Sequence, residues 1–449
     1  MSKIVLVGAG SVQFGCGTLG DIFQSDTLKS AEIVLHDIND AAVRRVHAVA
    51  TDFAVAHEIP ATVSHSTDLP SALAGADFVI ISIEVGDRFA LWEQDWRIPQ
   101  QYGIHQVYGE NGGPGGLFHA LRIIPPILDI CATVMEIAPD ATVFNYSNPM
   151  SRICTTVHRK FPDLNFVGLC HEIASLERHL APLLGVDRSQ LSYRAAGLNH
   201  FSVLLEATVD GRDAYDAVRK KAPAYFANLP GFSEHLAHFR ATGEVIETEG
   251  FWNRPEMKSA EIRPWSDRWL FREILTHFGF LPITTDSHFG EYITWAHDAS
   301  DHRGILDFYT YYKNHLGTSE PRINLELKER VVPIMEGILA DSGYEEGAVN
   351  IPNRGAIRQL PDWITVEVPA HIRATGPDAI AMDMPAGIAA LLCNQIGIHD
   401  LTAEAVLQGS RDLTIQAVLA DPITTKFHGV AEMVDLMIDE QRDWLGYLT

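Results

Sequence analysis

Three short clusters in the 449-residue chain could do chemistry: Asn145-Tyr-Ser-Asn148-Pro-Met150, Cys170-His171-Glu172 and Asn199-His200. A thiolate and an imidazole are both good ligands for a first-row divalent metal. Cys170 and His200 would meet around one if the strands that precede them end side by side. A fourth cluster, Gly8-Ala-Gly10-Ser11-Val12, offers different chemistry. Glycines at 8 and 10 let the backbone turn sharply and approach a pyrophosphate, which the N–H groups opening the next helix, at Ser11 and Val12, can hold. Asp37 is placed to accept both hydroxyls of an adenine ribose and to repel a 2′-phosphate, which favours NAD over NADP. The third glycine of the usual fingerprint is absent, with Gln13 in its place, and Asp37 lies beyond the usual offset of about 20 residues. The blander alternative makes Cys170 a small buried residue, the histidines backbone-satisfied and the glycine turn an empty βαβ connection.

The elements that must position these clusters are short, nearly continuous apolar runs at 3–7, 32–36, 76–83, 141–145 and 165–170, separated by helical stretches. Strands buried on both faces of a parallel sheet read this way, and ligands sit at the carboxyl ends of such strands. The spacing predicts an α/β fold with a Rossmann-type doubly wound parallel sheet over residues 1–198. Residues 191–196 and 201–208 then open an antiparallel excursion. A second, mixed α+β domain is expected over 199–449. Its text is mostly helical from about 215 to 345, with loop-like stretches at Arg263-Pro264 and Leu281-Pro282; strands follow at 349–355 and 365–369, and helices from about Gly387 and Thr402.

Composition narrows the function classes. Hydrophobic content of 46% and charged content of 20% are those of a folded soluble protein. A net charge of −24, from 34 Lys and Arg against 58 Asp and Glu, argues against nucleic acid or an anionic membrane as partner. No apolar run approaches 18 residues and no signal-peptide core follows Met1, so a cytoplasmic protein is expected. The five cysteines are odd in number and scattered, unlike a disulfide framework.

Taken together, Gly8-Ala-Gly-Ser11, Asn148-Pro-Met150, Cys170-His171, Gly197-Leu-Asn-His200 and Asn350-Ile-Pro-Asn-Arg-Gly355 resemble glycoside hydrolase family 4, the NAD-dependent glycosidases that depart from two-carboxylate hydrolysis. The resemblance implies a lactate/malate dehydrogenase-like fold, an α-glycoside as small-molecule partner, and a homodimer or homotetramer. It implies oxidation of the sugar at C3 by NAD, removal of the C2 proton, elimination at C1, addition of water and re-reduction. It also implies a divalent metal, usually Mn2+, on Cys170 and His200, and a sugar contact at Asn148.

By the same resemblance His171 protonates the leaving group, and a histidine there goes with unphosphorylated α-glycosides: α-galactoside, α-glucoside or α-uronide. Glu172 is the feature closest to the uronidase-like members. Tyr292 aligns with the family's tyrosine base; a phenol needs a nearby metal or cation to serve at pH 7, and Asp286 in the same stretch is the second choice. The alternative for Tyr292 is plain aromatic packing. Glu110, in the glycine-rich stretch 109–116 beside the nicotinamide, and Arg88 are further contacts to cofactor or substrate, though those glycines could only shape a turn and Arg88 could be solvated surface. Two rivals need different chemistry: a lactate/malate-type dehydrogenase would release NADH stoichiometrically, and an NAD-responsive sensor has no use for Cys, His and Asn at three strand ends. A 6-phospho-α-glycosidase is the rival within the family.

Overall fold

The computed structural model describes residues 2–229, 231–242, 264–318, 322–325 and 329–449. Twelve strands among them join one sheet: β1 (Lys3–Val7), β2 (Glu32–His36), β3 (Thr62–Ser66), β4 (Phe78–Ile81), β5 (Thr142–Asn145), β6 (Phe166–Gly168), β7 (Leu191–Leu198), β8 (Phe201–Val209), β9 (Arg212–Asp213), β10 (Glu345–Pro352), β11 (Thr365–Arg373) and β12 (Gly376–Ala379). Their order is β3-β2-β1-β4-β5-β6-β10-β11-β7-β8-β9, with β12 beside β11. The first six are parallel, as expected for the doubly wound half. β4 and the last four residues of β1 are apolar and buried because both faces of the sheet are covered. β3 escapes the sequence reading. As an edge strand with no fully buried residue, Thr-Val-Ser-His-Ser does not form an apolar run.

From β10 onward every pairing is antiparallel. Here the arrangement departs from expectation: β6 and β7, which precede Cys170 and His200, do not lie side by side. Two strands drawn from more than 140 residues further along, β10 and β11, stand between them. One registered row joins the two halves, Gly168 to Asn350, Asn350 to Glu367, and Glu367 to Gly197. The row is tight at Gly168, where a Cβ would fall 2.5 Å from Met150 Sδ and 2.9 Å from Asn350 Cβ.

Of the expected loop-like stretches, Arg263 lies outside the described residues, while Pro282 bridges Val203. The helix expected from about Thr402 starts earlier, at Ile396. One helix, Gly113–Ile137, is long and apolar enough to cross a membrane by length and composition, against the reading that no such run exists; 72% of its apolar window is buried inside the protein. Arg122 on it donates to Asp95 Oδ1 and Oδ2 at 2.8 and 2.6 Å and to Gln441 Oε1 at 2.7 Å, tying three segments at one buried point.

The missing third glycine has a substitute. In the helix Val12–Gln24, Gly15 presses on the glycine turn, and a Cβ there would sit 2.5 Å from the Ala9 carbonyl oxygen. Gly15→Ala is therefore expected to force helix and turn apart at a cost of about 1–3 kcal/mol. A thermal melt should show the lowered midpoint, and a wild-type midpoint would mean that the helix slides freely off the turn.

Candidate active site

At the end of β1, Gly8 adopts φ +87°, and its N–H and that of Ala9 donate to His36 O at 2.9 and 3.0 Å. A side chain at Gly8 would strike Ser82 O. The turn carries Asp37 with it: Gly10 N–H donates to Asp37 Oδ2 at 2.8 Å and Asn39 N–H to Oδ1 at 2.9 Å. The carboxylate is thus held in place while half-exposed, and Ser11 is exposed at the mouth beside Val12, the first helical residue. This crevice fits the adenine ribose and pyrophosphate of a dinucleotide.

Cys170, two residues past β6, and His200, in the two-residue turn between β7 and β8, come together. Cys170 Sγ lies 3.4 Å from His200 Nε2, and His200 takes a left-handed φ of +61°. Burial, then His288 and His171, push the imidazole well below its usual range, so it is neutral, as a metal ligand must be. Burial, then Glu367 and Glu172, push the thiol well up; a bound cation reverses that by displacing the proton. His200 Nδ1 is buried without a hydrogen-bond partner. The donor types and their spacing fit two neighbouring ligands of one divalent ion. Among the described residues no three His, Cys, Asp or Glu side chains converge in metal-binding fashion. The pair therefore leaves coordination positions for water or substrate, as catalytic sites do.

A continuous line of polar groups runs from this pair to the end of β4. The His200 ring lies 4.3 Å from that of His288, His288 Nδ1 is 3.9 Å from Glu110 Oε2, and Glu110 Oε1 accepts from Arg88 Nη2 at 2.5 Å. Arg88 also donates to Tyr312 Oη at 3.1 Å, so it is not a free surface arginine. The backbone N–H groups of Glu110 and Asn111 donate to the buried Glu291 carboxylate. Gly112 allows that approach, since a Cβ there would meet Glu291 O at 2.5 Å. Burial opposes ionisation of nearby Glu84, yet His119 and Arg88 hold its carboxyl down at about 2. Sequence reasoning missed His288, Glu291 and Tyr312. The first two lie in the stretch around Tyr292, where a tyrosine drew the attention; a histidine two residues from an acid was the available signal.

The remaining sequence candidates fare differently. Asn148 follows β5, and its Oδ1 is buried with no protein partner, as a sugar-binding group would be. His171 is exposed at the mouth, with its Nε2 4.0 Å from Glu172 Oε1. That contact is the one ion pair of Glu172 among the described residues, so no cation stands ready to offset a uronate carboxylate. Tyr292 is packed rather than poised. Its ring stacks on Phe201 at 4.8 Å, its hydroxyl donates to Asn199 O at 3.4 Å, and burial, then Glu291, push the phenol well above its usual range, the opposite of a base's requirement. Asp286 caps a helix. Its oxygens accept from the N–H groups of Leu270, Phe271 and Asp301 at 3.0 to 3.1 Å, and burial lifts it to about 6 against those bonds.

Known proteins resemble this chain along nearly its whole length. The family model for family 4 glycosyl hydrolases matches residues 3–186, and that for their C-terminal domain matches residues 195–424. An α-glucosidase of Erwinia rhapontici is 64% identical over 450 residues, covering 100% of this chain and 99% of its own. An α-galactosidase of Rhizobium meliloti (strain 1021) is 27% identical over 473 residues, covering 99% of this chain and 89% of its own. The structure of a 6-phospho-α-glucosidase from gut microorganisms in complex with NAD and Mn2+ superposes with a TM-score of 0.77 at 18% identity, over 100% of both chains; at that identity the likeness concerns the fold. A Rossmann-type half, an antiparallel second half and matches spanning nearly the whole chain leave one conclusion: the chain belongs to family 4 of the glycosyl hydrolases and is a glycoside hydrolase.

Proposed function

We propose that the protein hydrolyses unphosphorylated α-glucosides in a redox-neutral cycle with NAD and a divalent ion, Mn2+ by preference. The observation that carries the reading is the Cys170 Sγ to His200 Nε2 contact of 3.4 Å in the same sheet as the Gly8–Asp37 crevice. The 64% identity to an α-glucosidase supports glucose as the sugar, and Glu172, whose one ion pair among the described residues is with His171, weighs against a uronide. Bound NAD would accept and return the C3 hydride, and an ion on Cys170 and His200 would act as a Lewis acid on the sugar's oxygens.

The chain's own groups seat the cofactor and the sugar and protonate the leaving group. Gly8, Gly10 and Asp37 seat the dinucleotide, and Asn148 Oδ1 accepts from a sugar hydroxyl. Arg88, paired with Glu110, and His288 line the sugar's other side. His171 next to Cys170 gives a proton to the departing glycosidic oxygen, a role its exposed position at the site mouth permits. Tyr292 supports the Asn199-His200 turn from below and does not abstract the C2 proton. The same reading carries a cytoplasmic homo-oligomer acting on small glycosides.

Three outcomes test this. A panel of p-nitrophenyl α-glucoside, α-galactoside, α-glucuronide, α-galacturonide and 6-phospho-α-glucoside, followed for nitrophenol and NADH together, should show the fastest release from the α-glucoside, dependent on NAD and Mn2+ and with no NADH accumulating. NADH rising in step with substrate, without aglycone, would make the protein a dehydrogenase. His171→Ala should lower kcat by about 10²–10⁴-fold on a disaccharide and much less on the nitrophenyl substrate, whose leaving group scarcely needs a proton; equal losses on both would remove the acid role. Tyr292→Phe should retain activity within about tenfold, since it deletes only one 3.4 Å hydrogen bond. A loss above about 10³-fold in a folded Tyr292→Phe protein would restore the base assignment.

A further inference from the structure

We propose that Glu367 is a positioning residue that binds the Cys170 and His200 segments into one unit and supplies the second negative charge a divalent ion there requires. The inference rests on the reading of Cys170 and His200 as metal ligands.

Glu367 is fully buried on β11, in the one row that joins β6 to β7 through β10 and β11. Its Oε1 accepts from Asn199 Nδ2 at 2.9 Å and Asn350 Nδ2 at 3.3 Å, and its Oε2 from Ser202 Oγ at 2.9 Å. Asn199 and Ser202 flank His200. Asn350 Nδ2 also reaches Gly168 O at 3.4 Å, two residues before Cys170. One side chain therefore fixes both ligand-bearing segments, although their strands are separated by two others.

The charge argument is independent of the bonds. All three partners of Glu367 are neutral, two amides and a hydroxyl. A buried carboxylate held only by neutral donors lacks a counter-charge, and burying it without one is costly. The site above it has the complementary deficit: a thiolate and a neutral imidazole offer one negative charge to an ion carrying two positive ones. Glu367 closes the balance without touching the metal, the usual role of groups behind first ligands.

The test is a Mn2+ titration of the full-length protein, followed by the EPR signal of free Mn2+, on wild type and Glu367→Gln, with NAD affinity and melting temperature measured alongside. The Gln variant should bind Mn2+ about 10–100-fold more weakly while NAD affinity stays at the wild-type value, and the thiolate-to-cobalt charge-transfer band of the Co2+-loaded protein should shift. Wild-type Mn2+ affinity in the Gln variant overturns the proposal. Should Glu367→Gln fail to fold, Asn199→Ala, which removes the hydrogen bond tying the His200 turn to Glu367, decides by the same titration: weakened Mn2+ binding supports the proposal and unchanged binding overturns it. A wild-type protein that binds no Mn2+ would instead sink the metal reading of Cys170 and His200 itself.

Discussion

A carboxylate enclosed in a β-sheet must be satisfied where it sits, and at Glu367 that requirement organises the molecule. Burial, with a smaller contribution from the Glu172 charge, lifts its carboxyl to about 7 against hydrogen bonds from Asn199, Ser202 and Asn350. Removing any one donor would leave a buried acceptor short, at about 1–3 kcal/mol. Those donors sit on both sides of the junction between the parallel and antiparallel halves, and in-register backbone pairing runs through the same row. The junction can therefore form in one register only. A slip by one residue would turn Asn350 and Glu367 to the opposite face. Cys170 and His200 inherit their mutual geometry from that choice.

The side of the site around Arg88 and Glu110 is built on a second set of buried charges, each with a partner. Arg122 is held by Asp95 and Gln441, fixing the helices Arg88–Gln101 and Gly113–Ile137 against the C-terminal segment. Both helices begin at the site, one with Arg88 and the other just past Glu110. Glu291 reaches the same place from the second half and grips the backbone of Glu110 and Asn111. Hydrogen bonds within the protein thus fix the positions of these groups before anything binds, which lowers the ordering cost of binding.

Glycine serves both sites for the same reason. At Gly8, Gly15 and Gly112 the backbone of one element lies where a side chain would otherwise be, beside Ser82, Ala9 and Glu291. Close approach of main chain to main chain brings strand end, helix start and loop near enough to share one ligand.

By itself the sequence determined the parallel half of the sheet, because apolar runs buried on both faces are visible in a single chain, and it determined the chemistry of the site through residue types. Asp37, Asn148, Cys170, His171 and His200 carry functional groups legible in the sequence, and with Gly8 and Gly10 ahead of them they resemble the family's pattern. Tertiary structure decided how those groups meet. Cys170 and His200 face each other because β10 and β11 enter between their strands and Glu367 bridges the gap, a pairing that sequence periodicity does not encode. Burial, which depends on every neighbouring element, turned Tyr292 into a packing residue and Asp286 into a helix cap. It also drew His288 and Glu291 into the site. Periodicity reports which face of an element is buried, whereas a site is made by faces of different elements, and their meeting is settled only when the whole core closes.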